Sequence, residues 1–453
     1  MNVPRRIGIL AGGGTLPREI ADSVAARGMP LHIVAIDSEA NADFGPYPVT
    51  RVDWGQIGRM VAALRQNACT DLVIIGSVRR PDLGAIKPDF GFFRALATVA
   101  RLVAAGGDDA VLRGVIRFFE GYGFRVVGPA RLAPEIIIGE GPFGRTALTP
   151  ADRADAQRGF EAVAALSTFD IGQAVVVTDG RVEAFEAAEG TDRMLARVAV
   201  QRRQSGQTQG GGRGVLVKRA KPTQDERIDL PAIGPATITG CVEAGFSGLA
   251  LEAGRVLAAG RQEIMERAEA CRFAIEGVVP ETTAVVRRRR RRQSLVRRMV
   301  RHVERWRHGD GDIQQIGNLR VPVAAEADIA IGFDVLAAMA PFADCRAVVV
   351  VRGHVLAVDC GEGALAVVRR AAGLRQWGDR RFKRRAGTVV LSAGRHSNPE
   401  VMAAAAAAGF AGLVVGLKRF TAGVAADTIG VANKAGMFIA GVVKDEEGGN
   451  AQQ

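Results

Sequence analysis

The sequence has 453 residues, 48% of them hydrophobic, and a formal net charge of +12. This length can bury several cores, about two to four domains, and no apolar run reaches the roughly 18 residues that cross a bilayer. The five cysteines are odd in number and never spaced as CxxC, which argues against a disulfide framework or a zinc site. We therefore expect a cytoplasmic protein whose first apolar run is a β-strand and not a signal peptide.

The N-terminal region, residues 1–132, alternates apolar runs with helical patterns. This alternation predicts a Rossmann-like parallel sheet flanked by helices. The predicted strands are Ile7–Ala11, Leu31–Ile36, Asp71–Ile75 and Arg125–Val127, and the predicted helices are Pro17–Arg27, Ile57–Gln66 and Ala110–Glu120.

A glycine-rich turn follows the first predicted strand, where a helix N-terminus can receive a phosphate. Its candidate substrate-binding residues are Gly12, Gly13, Gly14, Thr15 and Leu16. The turn is not a complete GxGxxG sequence, because Pro17 occupies the third glycine position. A plain tight turn is one alternative. An NAD(P)-binding turn is another, with Asp37 as the ribose-binding acid.

Three further places combine a strand or helix end with polar residues. Arg80 follows a predicted strand and could pair with phosphate, or it is a solvated surface arginine. Asp108 precedes a helical pattern as a cap or as a ligand. Thr191 and Asp192 follow a hairpin-like stretch, either starting a helix with Thr191 as N-cap or pointing polar groups into a cleft.

A long internal repeat covers most of the remaining chain. Residues 151–177 align without gaps to residues 324–350, and the offset of 173 residues continues, as from Gly214 to Gly387. After a deletion the offset becomes 164 residues, as from Pro235 to Pro399. The predicted fold is therefore α/β, with an N-terminal Rossmann-like parallel-sheet domain followed by two tandem copies of a smaller α/β domain. The expected boundaries are 1–132, 150–280 for the first copy, 281–323 for a linker and 324–445 for the second copy.

The second copy keeps the apolar pattern and loses the polar residues. Leucine and glycine replace Lys218 and Lys221, and the segment DERIDLPAIG has no counterpart. The loss indicates that these residues are not needed for folding, which favours a functional role for them in the first copy.

The richest polar segment is GVLVKRAKPTQDERIDLPAIGP, residues 214–235. It places two amines, Lys218 and Lys221, close to the carboxylates of Asp225 and Asp229 at the exit of a predicted buried strand. This combination suits a polyphosphate together with a divalent metal ion. A solvated, charge-balanced loop is the alternative.

The linker carries much of the positive charge, including Arg287 to Arg292. Leu295, Met299, Val303 and Trp306 recur at helical spacing with arginines on the other faces. A basic amphipathic helix of this kind can lie on an anionic membrane surface, although a soluble linker is also consistent with the pattern.

The order and spacing of these motifs resemble the LpxI-type UDP-2,3-diacylglucosamine pyrophosphatases of lipid A biosynthesis. The resemblance covers residues 1–280, and it rests on GILAGGGTLP, SVRRP, GDDAVLR, EGTD, VLVKRAKPTQDERIDLPAIGP and AGFSGLALEAG. It implies hydrolysis of UDP-2,3-diacylglucosamine to 2,3-diacylglucosamine 1-phosphate and UMP, supported by Mg²⁺. It also implies Asp229 as the catalytic aspartate, with Thr191 and Lys218 contacting the glycosyl phosphate or sugar.

From the same reasoning we expect Mg²⁺ at Asp229 and Asp225, and substrate contacts from Asp192, Lys221 and Arg80. The expected partners are UDP-2,3-diacylglucosamine and the anionic inner-membrane surface, with no specific nucleic acid and with self-association left open. Two alternatives remain. One is an NAD(P)-dependent oxidoreductase, and the other is a non-catalytic basic scaffold or nucleic-acid binder.

Overall fold

A computed structural model describes residues 5–78, 88–91, 108–206, 212–221, 224–281, 313–375, 385–393, 396–417 and 424–443. Contacts divide the chain into two compact units. The first contains Met1–Leu148, Lys218–Glu243 and Ser247–Val279, and the second contains Thr149–Val217, Ala244–Phe246 and Pro280–Gln453. Among the helices in these described ranges, none is long and apolar enough to span a membrane.

The N-terminal sheet has five parallel strands in the order β3-β2-β1-β4-β5. The strands are β1 (Ile7–Ala11), β2 (Leu31–Ile36), β3 (Val49–Val52), β4 (Asp71–Ile75) and β5 (Arg125–Val126). The helices are α1 (Leu16–Ala26), α2 (Ile57–Gln66), α3 (Asp108–Gly121) and the short α4 (Pro129–Leu132), followed by a 3₁₀ turn at Pro134–Ile136. The predicted Rossmann-like sheet is thereby confirmed.

Each face of this sheet packs against its own apolar cluster. Ile7 and Ile9 of β1 face one cluster and Leu10 faces the other. Burial on both faces is the reason that the strands are continuous apolar runs, which made them predictable. The edge strand β3 was not predicted, because its sequence VTRV is only partly buried and has no apolar run.

The first copy of the smaller domain contains six strands in the order β6-β13-β11-β9-β7-β8. Its strands are β6 (Gly141–Pro142), β7 (Ala174–Thr178), β8 (Arg181–Phe185), β9 (Val215–Lys218), β11 (Gly248–Glu252) and β13 (Ala274–Val278), and a separate pair joins β10 (Ala232–Ile233) to β12 (Leu257–Ala258). Its helices are α5 (Pro150–Leu166), α6 (Thr191–Gln204), α7 (Pro235–Glu243) and α8 (Arg261–Ala270), with a 3₁₀ turn at Ser167–Phe169.

The second copy has the strand order β14-β19-β18-β17-β15-β16, which matches the first copy strand by strand. Its strands are β14 (Ile313–Gln315), β15 (Ala347–Val351), β16 (His354–Val358), β17 (Thr388–Leu391), β18 (Gly412–Leu417) and β19 (Phe438–Val443). Its helices are α9 (Val323–Met339), α10 (Ala364–Ala372), α11 (Pro399–Ala407) and α12 (Ala426–Ala435).

The two copies also share local geometry. The carboxylate of Asp155 accepts hydrogen bonds from the backbone N–H groups of Asp179 and Gly180 at 3.0 and 2.6 Å. In the second copy, Asp328 accepts the equivalent bonds from Arg352 and Gly353 at 3.0 and 2.7 Å. The predicted fold class, including the tandem copies, is therefore confirmed.

The predicted domain boundaries stay a prediction. The two compact units do not coincide with the predicted domains. The first unit contains residues 218–243 and 247–279 of the first copy together with the N-terminal region.

Candidate active site

The glycine-rich turn lies where the strand order of the N-terminal sheet reverses, between β1 and β4. Ligands of open α/β sheets bind at such switch points, outside the carboxyl ends of the strands. Gly12 N–H donates to the carbonyl of Ile75 at 2.8 Å, and Gly13 and Ser77 exchange backbone hydrogen bonds at 2.8 and 2.9 Å. The two strand ends are therefore held directly against each other.

Close packing accounts for the first two glycines. A Cβ at Gly12 would lie 2.5 Å from the Ser77 carbonyl oxygen, and one at Gly13 would lie 2.9 Å from the Glu39 carbonyl oxygen. Gly14 has a φ of +88° and donates its N–H to Asn41 Oδ1 at 2.8 Å. Thr15 occupies the N-cap position of α1 and Leu16 is buried. Phosphate binding by Gly12, Gly13, Gly14, Thr15 and Leu16 stays a prediction.

Thr191 and Asp192 lie in the second unit, in the first turn of α6. Gly190, with a φ of +82°, occupies the N-cap position, so Thr191 is the first helical residue and not the cap. The Thr191 hydroxyl donates to Glu186 Oε1 at 2.9 Å, and Asp192 is exposed. Arg80, another predicted substrate ligand, lies outside the described residues.

The lysine and aspartate segment begins at the end of a completely buried strand, β9. Lys218 is a buried residue, and its ammonium group donates to the carbonyl of Ala232 at 2.8 Å. This bond joins the two ends of the segment between β9 and β10. Lys218 therefore has a structural contact within the loop that it begins.

The carboxylates follow in a single helical turn. The Asp225 carbonyl accepts from Ile228 N–H at 3.1 Å and from Asp229 N–H at 3.0 Å. Residues four apart lie on the same face of such a turn, so Asp225 and Asp229 are neighbours. Before the turn, Lys221 N–H donates to the buried side chain of Gln224 at 2.9 Å.

Arg227 binds Asp225 with both ends of its guanidinium group. Its Nε donates to Asp225 Oδ1 at 2.9 Å and its Nη2 to Oδ2 at 2.7 Å. These side-chain hydrogen bonds lower the pKa of the Asp225 carboxyl group. The Nη1 of Arg227 donates to Glu120 of α3 at 2.9 Å. The turn is thereby connected to the N-terminal sheet domain.

Apolar contacts attach the same turn to the two clusters of the N-terminal sheet. Ile228 packs against the cluster that contains Leu10 and Val126. Leu230 packs against the other cluster, to which Leu16 of the glycine-rich turn belongs. The first unit thus brings Lys218, Lys221, Asp225 and Asp229 onto the same domain as the glycine-rich turn.

A buried carboxylate, Glu252 at the end of β11, supports the backbone between the two lysines. Its Oε2 accepts from Ala220 N–H at 3.1 Å. Its Oε1 lies 3.5 Å from Arg219 Nε and 3.3 Å from Arg255 Nη1. Sequence reasoning did not select Glu252, although a carboxylate that ends the apolar run GLAL was an available signal.

Mg²⁺ binds to oxygen ligands, above all carboxylates, that lie close together. Among the described residues, no three His, Cys, Asp or Glu side chains form a cluster that could bind a metal ion. Mg²⁺ commonly binds one or two carboxylates together with substrate phosphates, which is a smaller requirement. A carboxylate such as that of Asp229 is the type of ligand that this requirement calls for. Asp225 would have to exchange its two hydrogen bonds to Arg227 for the metal.

Comparison with known proteins matches two family models to this chain. Residues 6–136 match the LpxI N-terminal domain and residues 139–276 match the LpxI C-terminal domain. The second copy lies outside both matched regions.

One curated relative is the UDP-2,3-diacylglucosamine pyrophosphatase LpxI of Caulobacter vibrioides. It is 37% identical over 279 residues, which is 61% of this chain and 99% of the relative. The regions that match the two family models include both the glycine-rich turn and the lysine and aspartate segment. The chain belongs to the LpxI family.

Proposed function

We propose that this protein hydrolyses UDP-2,3-diacylglucosamine to 2,3-diacylglucosamine 1-phosphate and UMP, with Mg²⁺ as cofactor. The observation that carries the proposal is the segment from Lys218 to Asp229. The Lys218–Ala232 bond closes it, Glu252 supports its backbone and Arg227 connects it to Glu120 of the N-terminal domain, and it is absent from the second copy. The relative that bears this activity in its name is aligned over 99% of its length, and the segment lies within the region that matches the LpxI C-terminal domain.

Family membership supports a hydrolase over the two alternatives from the sequence. Asp37, the ribose-binding acid of the oxidoreductase alternative, forms an exposed ion pair with Arg51 at 3.2 Å. The nucleic-acid alternative depends on the arginine-rich linker and gives no role to the lysine and aspartate segment.

Hydrolysis of a diphosphate requires charge neutralisation and alignment of water with the leaving oxygen more than it requires covalent chemistry. Lys218 and Lys221 supply the positive charge in our proposal, and Arg80 adds to it. Asp229 orients the water and would hold Mg²⁺ against the diphosphate, and bound Mg²⁺ would polarise the phosphoryl oxygens. Asp225 then has two candidate roles, as a second metal ligand or as the acceptor that fixes Arg227.

Replacement of Asp229 by asparagine tests the catalytic assignment. Asp229→Asn keeps the size of the side chain and removes its charge, so we expect the rate of UMP release to fall by about 100-fold or more. EDTA should lower the wild-type rate to a similar level. The measurement is UMP release from UDP-2,3-diacylglucosamine by the full chain, with thermal unfolding as the check on folding.

Glu226→Gln is the matched control for this test. Glu226 is an exposed carboxylate in the same turn and pairs with Arg255 at 2.8 Å. Its substitution should leave the rate within about threefold of wild type, since exposed ion pairs contribute little. A normal rate for Asp229→Asn would remove Asp229 from the mechanism.

The support of the lysine segment by Glu252 generates a second test. Glu252→Ala removes the acceptor of Ala220 N–H, so the backbone between Lys218 and Lys221 should shift and kcat/KM should fall by about 10- to 100-fold. Glu276→Ala is the control, because Glu276 is equally buried and accepts from Leu148 N–H at 3.1 Å, outside the segment.

Both glutamate variants should lose stability, by about 1–3 kcal/mol in urea unfolding, because each leaves a buried N–H without its acceptor. The Glu252 variant should also lose activity beyond the loss in the Glu276 variant. Equal activities in the two variants would show that Glu252 has no specific role in positioning the lysines.

We further propose that the enzyme acts at the cytoplasmic surface of the inner membrane, where the arginines of residues 287–308 contact anionic lipid. These residues lie outside the described part of the chain, and the proposal rests on their sequence. Each arginine near such a surface contributes about 1 kcal/mol, weakened by salt.

Liposome co-sedimentation tests this membrane proposal. Vesicles that contain anionic lipid should bind the full chain at low salt, and binding should disappear when a Gly/Ser linker of equal length replaces residues 287–308. Unchanged sedimentation of that variant would show that the arginines do not recruit the protein.

A further inference from the structure

The two copies of the smaller domain meet within the second unit through a ring of four buried charges. Arg197 Nη2 lies 2.7 Å from Glu189 Oε1 of its own copy, and Arg197 Nη1 lies 3.9 Å from Glu362 Oε1 of the second copy. Arg370 binds Glu362 of its own copy, and its Nη1 lies 3.3 Å from Glu189 Oε2 of the first copy. The four side chains are between 3% and 14% exposed.

The sequence repeat relates these four residues in pairs. Glu189 corresponds to Glu362 and Arg197 to Arg370, at the offset of 173 residues. The pair within the first copy, Arg197 and Glu189, therefore corresponds to the pair within the second copy. The two pairs between the copies correspond to each other in the same way. This is the contact pattern of a two-fold symmetric interface, in which the same patch is present on both sides.

Further contacts between the copies involve Arg158, Val182 and Ala188 of the first copy, of which Ala188 packs against the apolar cluster of the second copy. Arg158 donates to the Pro341 carbonyl and lies 4.6 Å above the centre of the Phe342 ring. Val182, on the edge strand β8, donates its N–H to the Phe342 carbonyl at 3.0 Å.

The first copy contains counterparts of the groups that the second copy contributes to the ring and to the contacts with Arg158 and Val182. Thr168 corresponds to Pro341 and Phe169 to Phe342, and the ring residues correspond as described above. The first copy is therefore complementary to itself. The second copy is not, because Ile331 stands at the position that corresponds to Arg158.

We propose that the surface formed by Arg158, Val182, Glu189 and Arg197 is a self-association surface, which the chain's own second copy covers. In a chain without the second copy, the partner at this surface is the first copy of another molecule. Attachment through the linker gives the second copy a local concentration of about millimolar at this surface. The second copy therefore outcompetes the first copy of another molecule that is present at a lower concentration. This inference does not depend on the proposed hydrolysis.

A chain that ends after Val279 tests the exposed surface. The two family models end at residue 276, and the relative is aligned over 279 residues and 99% of its length, so the shortened chain has the extent of a family member. Light scattering should give twice the mass of one shortened chain, whereas the full chain should give 47.8 kDa. A tagged shortened chain should retain other shortened chains and not the full chain.

Charge exchange identifies the surface in the shortened dimer. Arg197→Glu places four glutamates in the ring and Glu189→Arg places four arginines there, so either variant should raise the dissociation constant about 100-fold or more. A mixture of the two variants should form dimers again, because it restores two residues of each charge. Wild-type affinity in either variant, or a monomeric shortened chain, would overturn the proposal.

The full chain gives an independent test. Glu362→Arg combined with Arg370→Glu keeps one positive and one negative residue within each copy. Between the copies it places arginine against arginine and glutamate against glutamate. The second copy should then leave the surface, and the full chain should shift to twice its mass. Adding Glu189→Arg and Arg197→Glu should restore the single-chain mass. An unshifted mass for the first combination, or a wild-type full-chain dimer that Arg197→Glu dissociates, would contradict the proposal.

Discussion

The candidate site depends on the hydrogen bond that Lys218 donates to the Ala232 carbonyl. The ammonium group of a lysine in a buried position needs polar partners, and this contact supplies one at the point where the strand β9 ends and the loop begins. The same bond brings the two ends of the loop together. Asp225 and Asp229 therefore lie in a short turn against the N-terminal sheet and not on a long free loop.

The second copy shows what the fold requires without this chemistry. Leu391 replaces Lys218 and is completely buried, and Gly416 replaces Glu252. The strand order is retained and so is the Asp328 turn. A charged loop and its buried supports were therefore dispensable for folding. Their presence in the first copy needs a functional explanation, and phosphate chemistry supplies one.

The elements that sequence reasoning predicted correctly are those with strong local patterns. β1 and β2 are runs buried on both faces, β4 is a largely apolar run that is buried over its first three residues, and the internal repeat predicted the tandem copies. The contacts around the site were not predictable in the same way. Arg227 and Glu120 form a hydrogen bond although 107 residues separate them in the sequence. Gly190 and not Thr191 is the N-cap of α6 because that position has a positive φ.

The contacts of the charge ring were also not predictable from the sequence. The repeated glutamate and arginine positions are visible in the alignment of the two copies, but their arrangement around a two-fold axis depends on how the copies pack. Local patterns set the strands and helices, whereas pairing of buried charges is decided by tertiary structure.

The most direct measurement is the reaction of UDP-2,3-diacylglucosamine with the full wild-type chain and Mg²⁺ in ¹⁸O-labelled water, with products identified by mass spectrometry. The account predicts UMP and 2,3-diacylglucosamine 1-phosphate in equal amounts, with the label in one of them, which also identifies the phosphorus that water attacks. Folded protein that forms neither product would contradict the account.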